Sequence, residues 1–188
     1  MPNHDYPLTL LCHPVTPAPV VRMIEAHAAF RPDGGITFAY RLWGDMARLL
    51  VPVEQAPERK DLLWEHTCFE AFVGVPGEPD YREFNFSPSG QWAAYAFSGY
   101  RQRDERFELI DAPHITTRLF TGRLEVEATL APGALPTGAP RLQIALSAVV
   151  EAADTVDGSH SYWALHHPAP RPDFHHRAGF TLECAAEK

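Results

Sequence analysis

Three stretches of this chain alternate apolar and polar residues with a period of two, and that pattern restricts the fold more than any other feature. Leu124, Val126, Ala128 and Leu130 share one face, with Arg123, Glu125, Glu127 and Thr129 on the other. Leu142, Ile144, Leu146, Ala148 and Val150 share a face opposite Arg141, Gln143 and Ser147. Ile36, Phe38, Tyr40 and Leu42 do the same opposite Thr37, Arg41 and Trp43. Successive side chains of a strand point to opposite faces, so each stretch reads as a half-buried β-strand. Residues 20–30 and 92–97 fit a helix almost as well, and are read as strands. Asp33-Gly34-Gly35, Pro76-Gly77, Ser89-Gly90, Thr121-Gly122, Pro132-Gly133 and Asp157-Gly158 punctuate the pattern as turns. Their short spacing predicts antiparallel hairpins. The chain also carries 18 Pro, about twice the usual frequency. Proline is excluded from helix interiors and central strands, so this count favours short strands joined by many loops. The stretch 131–140 (APGALPTGAP) is the clearest such loop, a hairpin or inter-sheet connection.

Length and charge narrow the function. The 188 residues suit one domain that buries a core without disulfide or metal staples. The formal charge is −8, and only two Lys are present. An acidic surface repels phosphate, which argues against nucleic acid and anionic membranes as partners. Cys12, Cys68 and Cys184 are odd in number and far apart, and read as free thiols in a reducing compartment. The N-terminus has no basic region ahead of a long apolar run, and no segment is long enough to span a bilayer. The expectation is a cytoplasmic protein.

The segment from Leu63 to Arg101 carries the chemistry. Phe69, Ala71, Val73 and Val75 alternate with Cys68, Glu70 and Phe72, so both faces of this strand are apolar apart from Glu70. A carboxylate seldom enters an interior without a partner. In the next strand Phe84 and Phe86 face the core, while Tyr81, Glu83, Asn85 and Ser87 form a polar row. An aromatic ring beside a carboxylate and an amide suits a sugar, whose C–H face stacks on the ring while its hydroxyls take directed hydrogen bonds. The same row also fits a solvated sheet face.

The stretch WEHTCFEAFVGV followed by YREFNFSPSGQWAAYAF resembles the DOMON-like superfamily, in the type related to family 9 carbohydrate-binding modules. Trp64, Glu70, Phe72, Tyr81, Glu83, Phe84, Asn85, Pro88 and Gly90 carry that resemblance, and Trp163, Pro172, Phe174 and Phe180 match its closing pattern. It implies an all-β, antiparallel two-sheet β-sandwich, jelly-roll or immunoglobulin-like, as one domain with its core in residues 8–184. It also implies a non-catalytic domain that binds a small ligand, a carbohydrate first of all. By analogy with relatives that clamp a sugar between two indoles, Trp64 and Trp163 would form the clamp. Glu70, Glu83 and Asn85 would meet hydroxyls, and Tyr81, Arg101 and His175 would complete a polar rim. Other relatives bind haem through a Met and a His, but Met23 and Met46 do not align with that motif. A redox-cofactor domain is the alternative, and an interaction domain pairing through sheet edges is a third. Bound calcium is not readable from the sequence.

Two further constellations stand apart. His167, Asp173, His175 and His176 are weak metal candidates, since adjacent His on a strand diverge and a Pro-rich loop separates the pairs. Glu65, Glu70 and Glu83 near His66 could in principle hydrolyse a glycoside. No G-x-S-x-G, H-E-x-x-H, P-loop or dinucleotide fingerprint is present, and the expectation is a protein without catalysis.

Overall fold

A computed structural model describes residues 7–137, 141–153 and 159–185. It contains eleven strands and four short 3-10 turns among those residues. The strands are β1 (Leu8–Cys12), β2 (Val21–Phe30), β3 (Ile36–Gly44), β4 (Cys68–Gly74), β5 (Tyr81–Phe86), β6 (Trp92–Phe97), β7 (His114–Phe120), β8 (Arg123–Leu130), β9 (Arg141–Ala152), β10 (Ser159–Ala164) and β11 (Leu182–Ala185). Both ambiguous segments are strands, as read from the sequence. The Asp157-Gly158 turn lies outside the described residues.

The hydrogen-bonded order is β6-β5-β4-β9-β10-β1-β2-β3-β8-β7, with β11 added beside β9. Every pairing between these strands is antiparallel. The path is continuous because β1 changes partner along its length. Leu8, Thr9 and Leu10 pair with β2, and Leu11 and Cys12 pair with β10. The resulting sheet curls until its two halves face each other. The β2-β3-β8 half contributes Ile24, Phe38, Tyr40, Leu42, Leu124 and Val126 to a shared core. The β4-β5-β9 half contributes Phe69, Val73, Phe84, Phe86, Ile144 and Leu146. The Phe38 and Phe86 ring centroids lie 6.0 Å apart, and Tyr40 packs on Phe69 at 5.0 Å. The buried Tyr40 hydroxyl donates to the Glu70 carbonyl across the halves at 2.7 Å, which satisfies the polar end of an otherwise apolar contact. The loop after β8 carries the chain from one half to the other, consistent with its Pro/Gly content.

The second face of the β4-β5-β6-β9-β10 half is also covered. Residues 165–181 cross it as a strap before β11. Phe174 of that strap packs on Phe72 of β4, centroids 6.5 Å apart. Arg177 anchors the strap to the turn after β4, donating to the carbonyls of Val75 at 2.9 Å and Glu78 at 3.3 Å. Its guanidinium lies directly over Gly74, where a Cβ would collide with it. Glycine at this position is therefore a matter of room. Among the described residues no helix is long and apolar enough to cross a membrane.

Candidate functional site: an aromatic-walled cavity with two buried acids

Register decides which side chains meet under the strap. On the covered face, Glu70 of β4 stands between Ser147 of β9 and Asn85 of β5. One pleat along, Phe72 stands beside Glu83, which in turn pairs with Tyr95 of β6. On the other side of Glu70, Cys68, Val149 and Tyr162 are in line. The polar row of β5 thus faces a covered space instead of solvent.

That space is a cavity of about 410 Å3 lined by Glu70, Phe72 and Glu83 from the first two of these strands, Tyr95 and Phe97 from β6, and Val149 and Tyr162 from β9 and β10. Trp64 of a 3-10 turn, Arg101 and Arg103 after β6, and Pro172, Phe174 and His175 of the strap complete it. Trp64 is 37% exposed, and its indole meets the Tyr95 ring edge-on at 6.0 Å. Arg103 lies over the same Tyr95 ring at 4.4 Å, while the Tyr95 hydroxyl donates to Asp61 at 2.7 Å. The aromatic wall is fixed at both its face and its polar end.

The floor is acidic. Glu70 is 3% exposed and Glu83 5%. Burial pushes the Glu70 carboxyl well above the usual carboxylate range, and the neighbouring Glu83 charge adds to this while Arg101 opposes it. Burial likewise raises Glu83, to about 7, against a hydrogen bond from Asn85 and the charges of Arg101 and Arg103. Two acids in one dry space cannot both ionise freely. Asn85 Nδ2 donates to Glu83 Oε1 at 2.7 Å. His175 Nε2 approaches the other oxygen, Oε2, at 3.7 Å. This contact is not an ion pair, because burial and the nearby Arg101 charge push the His175 imidazole down to about 4. The Tyr81 hydroxyl accepts from the Arg101 backbone N–H at 3.1 Å, so its own proton goes to His175 Nδ1, 2.8 Å away. A neutral imidazole that accepts at Nδ1 carries its hydrogen on Nε2, facing Glu83. Tyr81, His175, Glu83 and Asn85 are therefore one relay of contacts that orients the Glu83 carboxyl.

Asp173 ties the strap down over this relay. It accepts from the Tyr100 hydroxyl at 2.8 Å, from Arg101 at 3.0 Å and from the His175 N–H at 3.2 Å. Although burial works against it, these hydrogen bonds hold its carboxyl below the ordinary value. Arg101 itself sits at φ 54, in the left-handed region, a strained setting that the Asp173 bond and the Tyr81 contact together maintain.

Of the residues singled out by sequence, Trp64, Glu70, Glu83, Arg101 and His175 line the cavity. Tyr81 and Asn85 sit one layer behind, holding His175 and Glu83. Trp163 does not join Trp64. It is 7% exposed and lies in the core between the halves, with its indole N–H donating to Ser161 at 2.9 Å. Strand parity explains this. Trp163 is in register with Ala148, which pairs with the core residue Phe69, whereas Tyr162 is in register with Val149 and the cavity face. The structure does not bring the two indoles together, and it is Tyr162, not Trp163, that lines the cavity.

The metal candidates are separated by their contacts. His167 Nε2 meets the Leu11 carbonyl at 2.8 Å, His176 accepts from the Ala178 N–H at 3.2 Å, and Asp173 is engaged as above. Among the described residues no three His, Cys, Asp or Glu converge as a metal set. Met23 and Met46 do not line the cavity. His66 pairs with Glu151 at 2.9 Å, and neither it nor Glu65 lines the cavity. Sequence reasoning missed Tyr95, Phe97, Arg103 and Phe174 as cavity wall. Tyr95 and Phe97 alternate with Trp92, Ala94 and Ala96, so the hairpin register was the available signal for them.

No family model and no curated protein matches the chain. Solved structures do. A provisionally described carbohydrate-binding protein from Bacteroides uniformis superposes with a TM-score of 0.64 at 16% identity, covering 96% of this chain and 85% of that one. A family 9 carbohydrate-binding module from Caldicellulosiruptor kristjanssonii, in complex with glucose, superposes with a TM-score of 0.52 at 11% identity, covering 94% and 82%. The likeness is one of fold. At these identities the cavity residues are assessed on their own chemistry.

Proposed function

We propose that the chain is a non-catalytic carbohydrate-binding domain, a single β-sandwich unit of the DOMON-like type, that holds a sugar in the cavity beneath the strap. The observation that carries this reading is the combination of aromatic walls with two carboxyls on the floor. Tyr95 and Trp64 offer ring surface to the C–H face of a pyranose. Glu70 and Glu83 face the cavity as hydrogen-bond partners for its hydroxyls. A volume of about 410 Å3 falls within the usual range of small-ligand sites, and suits one or two sugar rings. The shared fold with a module solved with glucose supports the reading. The proposed site has one indole, Trp64, with Tyr162 also in the cavity lining.

Calorimetric titration with a panel of mono- and disaccharides tests it. Saturable binding is expected, weakened at least tenfold by Trp64→Ala and by Glu83→Gln. Absence of binding across the panel overturns the reading, as does binding that neither substitution changes.

A further inference from the structure

The cavity's charges do not balance, and the imbalance says more about the ligand than the aromatic walls do. Each cation at its rim already has an acidic partner. Arg101 bonds Asp173 at 3.0 Å, and Arg103 lies 3.5 Å from Glu105. Glu70 and Glu83 are left over. Glu70 has no side-chain hydrogen bond among the described residues. Its carboxyl oxygens are not sealed off, and they face the cavity. Beside it in register, the Ser147 hydroxyl is 1% exposed at the residue level and has no hydrogen-bond partner. Glu83 receives one hydrogen bond, from neutral Asn85, and a 3.7 Å approach from neutral His175. Buried carboxyls without a cation cost free energy, whether they stay charged or take up protons. The walls around them are Phe72, Tyr95, Phe97 and Phe174, whose ring faces attract positive charge.

We propose that the sugar taken by this cavity carries an ammonium group, an amino sugar with a free amine, seated between Glu70 and Glu83 and walled by the aromatic rings. This rests on the carbohydrate reading and names its ligand class. An ammonium supplies three donors, enough to meet both carboxyls. A neutral sugar meets the acids' hydrogen bonds but supplies no charge to favour their ionised form. Because burial favours the protonated form of both acids, a cation seated between them drives them toward their charged form and releases protons. Burial outweighs Arg101, which lowers both acids, and Arg103, which lowers Glu83. Cys68, Tyr81 and Tyr95 also face the pair and bring no positive charge, and burial and the Arg101 charge lower the His175 imidazole to about 4.

The test compares glucosamine, N-acetylglucosamine and glucose by calorimetry on the full chain, in two buffers of different ionisation enthalpy. Expected is a preference of at least tenfold for glucosamine over both neutral sugars, with net proton release on binding near pH 6.5. The preference should shrink to less than threefold in Glu70→Gln and in Glu83→Gln, each checked by thermal melting so that a folding failure in one leaves the other as the test. Equal or tighter binding of glucose or N-acetylglucosamine overturns the ammonium assignment and leaves the sugar site standing. No binding of any of the three overturns both.

Discussion

The two faces of the β4-β5-β9 half are built from the same strands and are both buried, yet they obey different rules. The inner face is apolar throughout: Phe69, Ala71, Val73, Phe84, Phe86 and Ile144 fill it. The outer face, under the strap, alternates Phe72 and Phe97 with Glu70, Glu83, Asn85 and Ser147. Burial alone does not distinguish a core from a site. The difference lies in what the buried atoms have as partners. The inner core holds few polar atoms, chiefly the indole N–H groups of Trp92 and Trp163, while the outer face holds two acids and a hydroxyl whose satisfaction the fold leaves incomplete.

The largest break in this comparison comes from the inner face. Phe69→Ala should cost about 3–5 kcal/mol in denaturant unfolding, and Trp163→Ala a similar amount, through a cavity between the halves. A loss of less than about 1 kcal/mol at Trp163 would mean that the indole is not a core residue.

Next is pH. A carboxyl raised on folding stabilises the protonated folded state, and that stability declines as pH rises from the unfolded value through the folded one. For Glu83 the decline runs from its ordinary 4.5 to about 7, and Glu70, held well above the usual carboxylate range, adds to it in the same direction. His175 acts in the opposite sense. Lowered on folding to about 4, it withdraws stability as pH falls from 6.5 through 4. The two slopes offset each other below pH 6.5. Above it the acids act alone, so stability should fall by about 1–3 kcal/mol between pH 6.5 and 8.5. The Glu70→Gln, Glu83→Gln double variant should show a flatter melting profile over that interval.

Gly74→Ala should displace Arg177 from its carbonyl partners and cost about 1–2 kcal/mol, while weakening sugar binding through a loosened strap. Intact affinity with a lowered melting temperature would separate the strap's anchoring from the site. Smallest in stability is Trp64→Ala, within about 0.5–1 kcal/mol of the parent because its ring is partly exposed, yet with at least a tenfold loss in affinity. The contrast between Trp64 and Trp163 is the sharpest form of the comparison: substitution of the first is expected to change affinity, and of the second stability.

Much of the strand framework was legible in sequence because alternation is a local property. The three period-two stretches became β3, β8 and β9, and the polar row of Tyr81, Glu83 and Asn85 did oppose Phe84 and Phe86. The continuous path of strands was not legible. It depends on β1 dividing its hydrogen bonds between β2 and β10, which five residues with no distinctive composition cannot announce. Glu70 drew attention because a carboxylate inside an apolar strand is anomalous, and Glu83 because it stands in the polar row of β5. That this row is buried was not legible, since the strap covering it is distant in sequence. Trp163 was misplaced for the converse reason. Ring size draws attention to an indole, but a shift of one residue along β10 moves a side chain to the opposite face, and only the pairing with β9 fixes that parity. Phe174 and Arg177 lay in a strap whose course is set by tertiary contacts alone.

The strap at residues 165–181 also has a consequence for biogenesis. A polypeptide leaves the ribosome from its N-terminal end, so the sheet face bearing Glu70 and Glu83 is synthesised long before the segment that roofs it. During that interval both acids are open to water and ionise readily, and the β4 strand waits for β9, some seventy residues later in register, before it can be enclosed. The cavity under the strap is thus among the last parts of the molecule whose residues are all synthesised, and a nascent chain halted short of Asp173 would display the acids and rings without their roof.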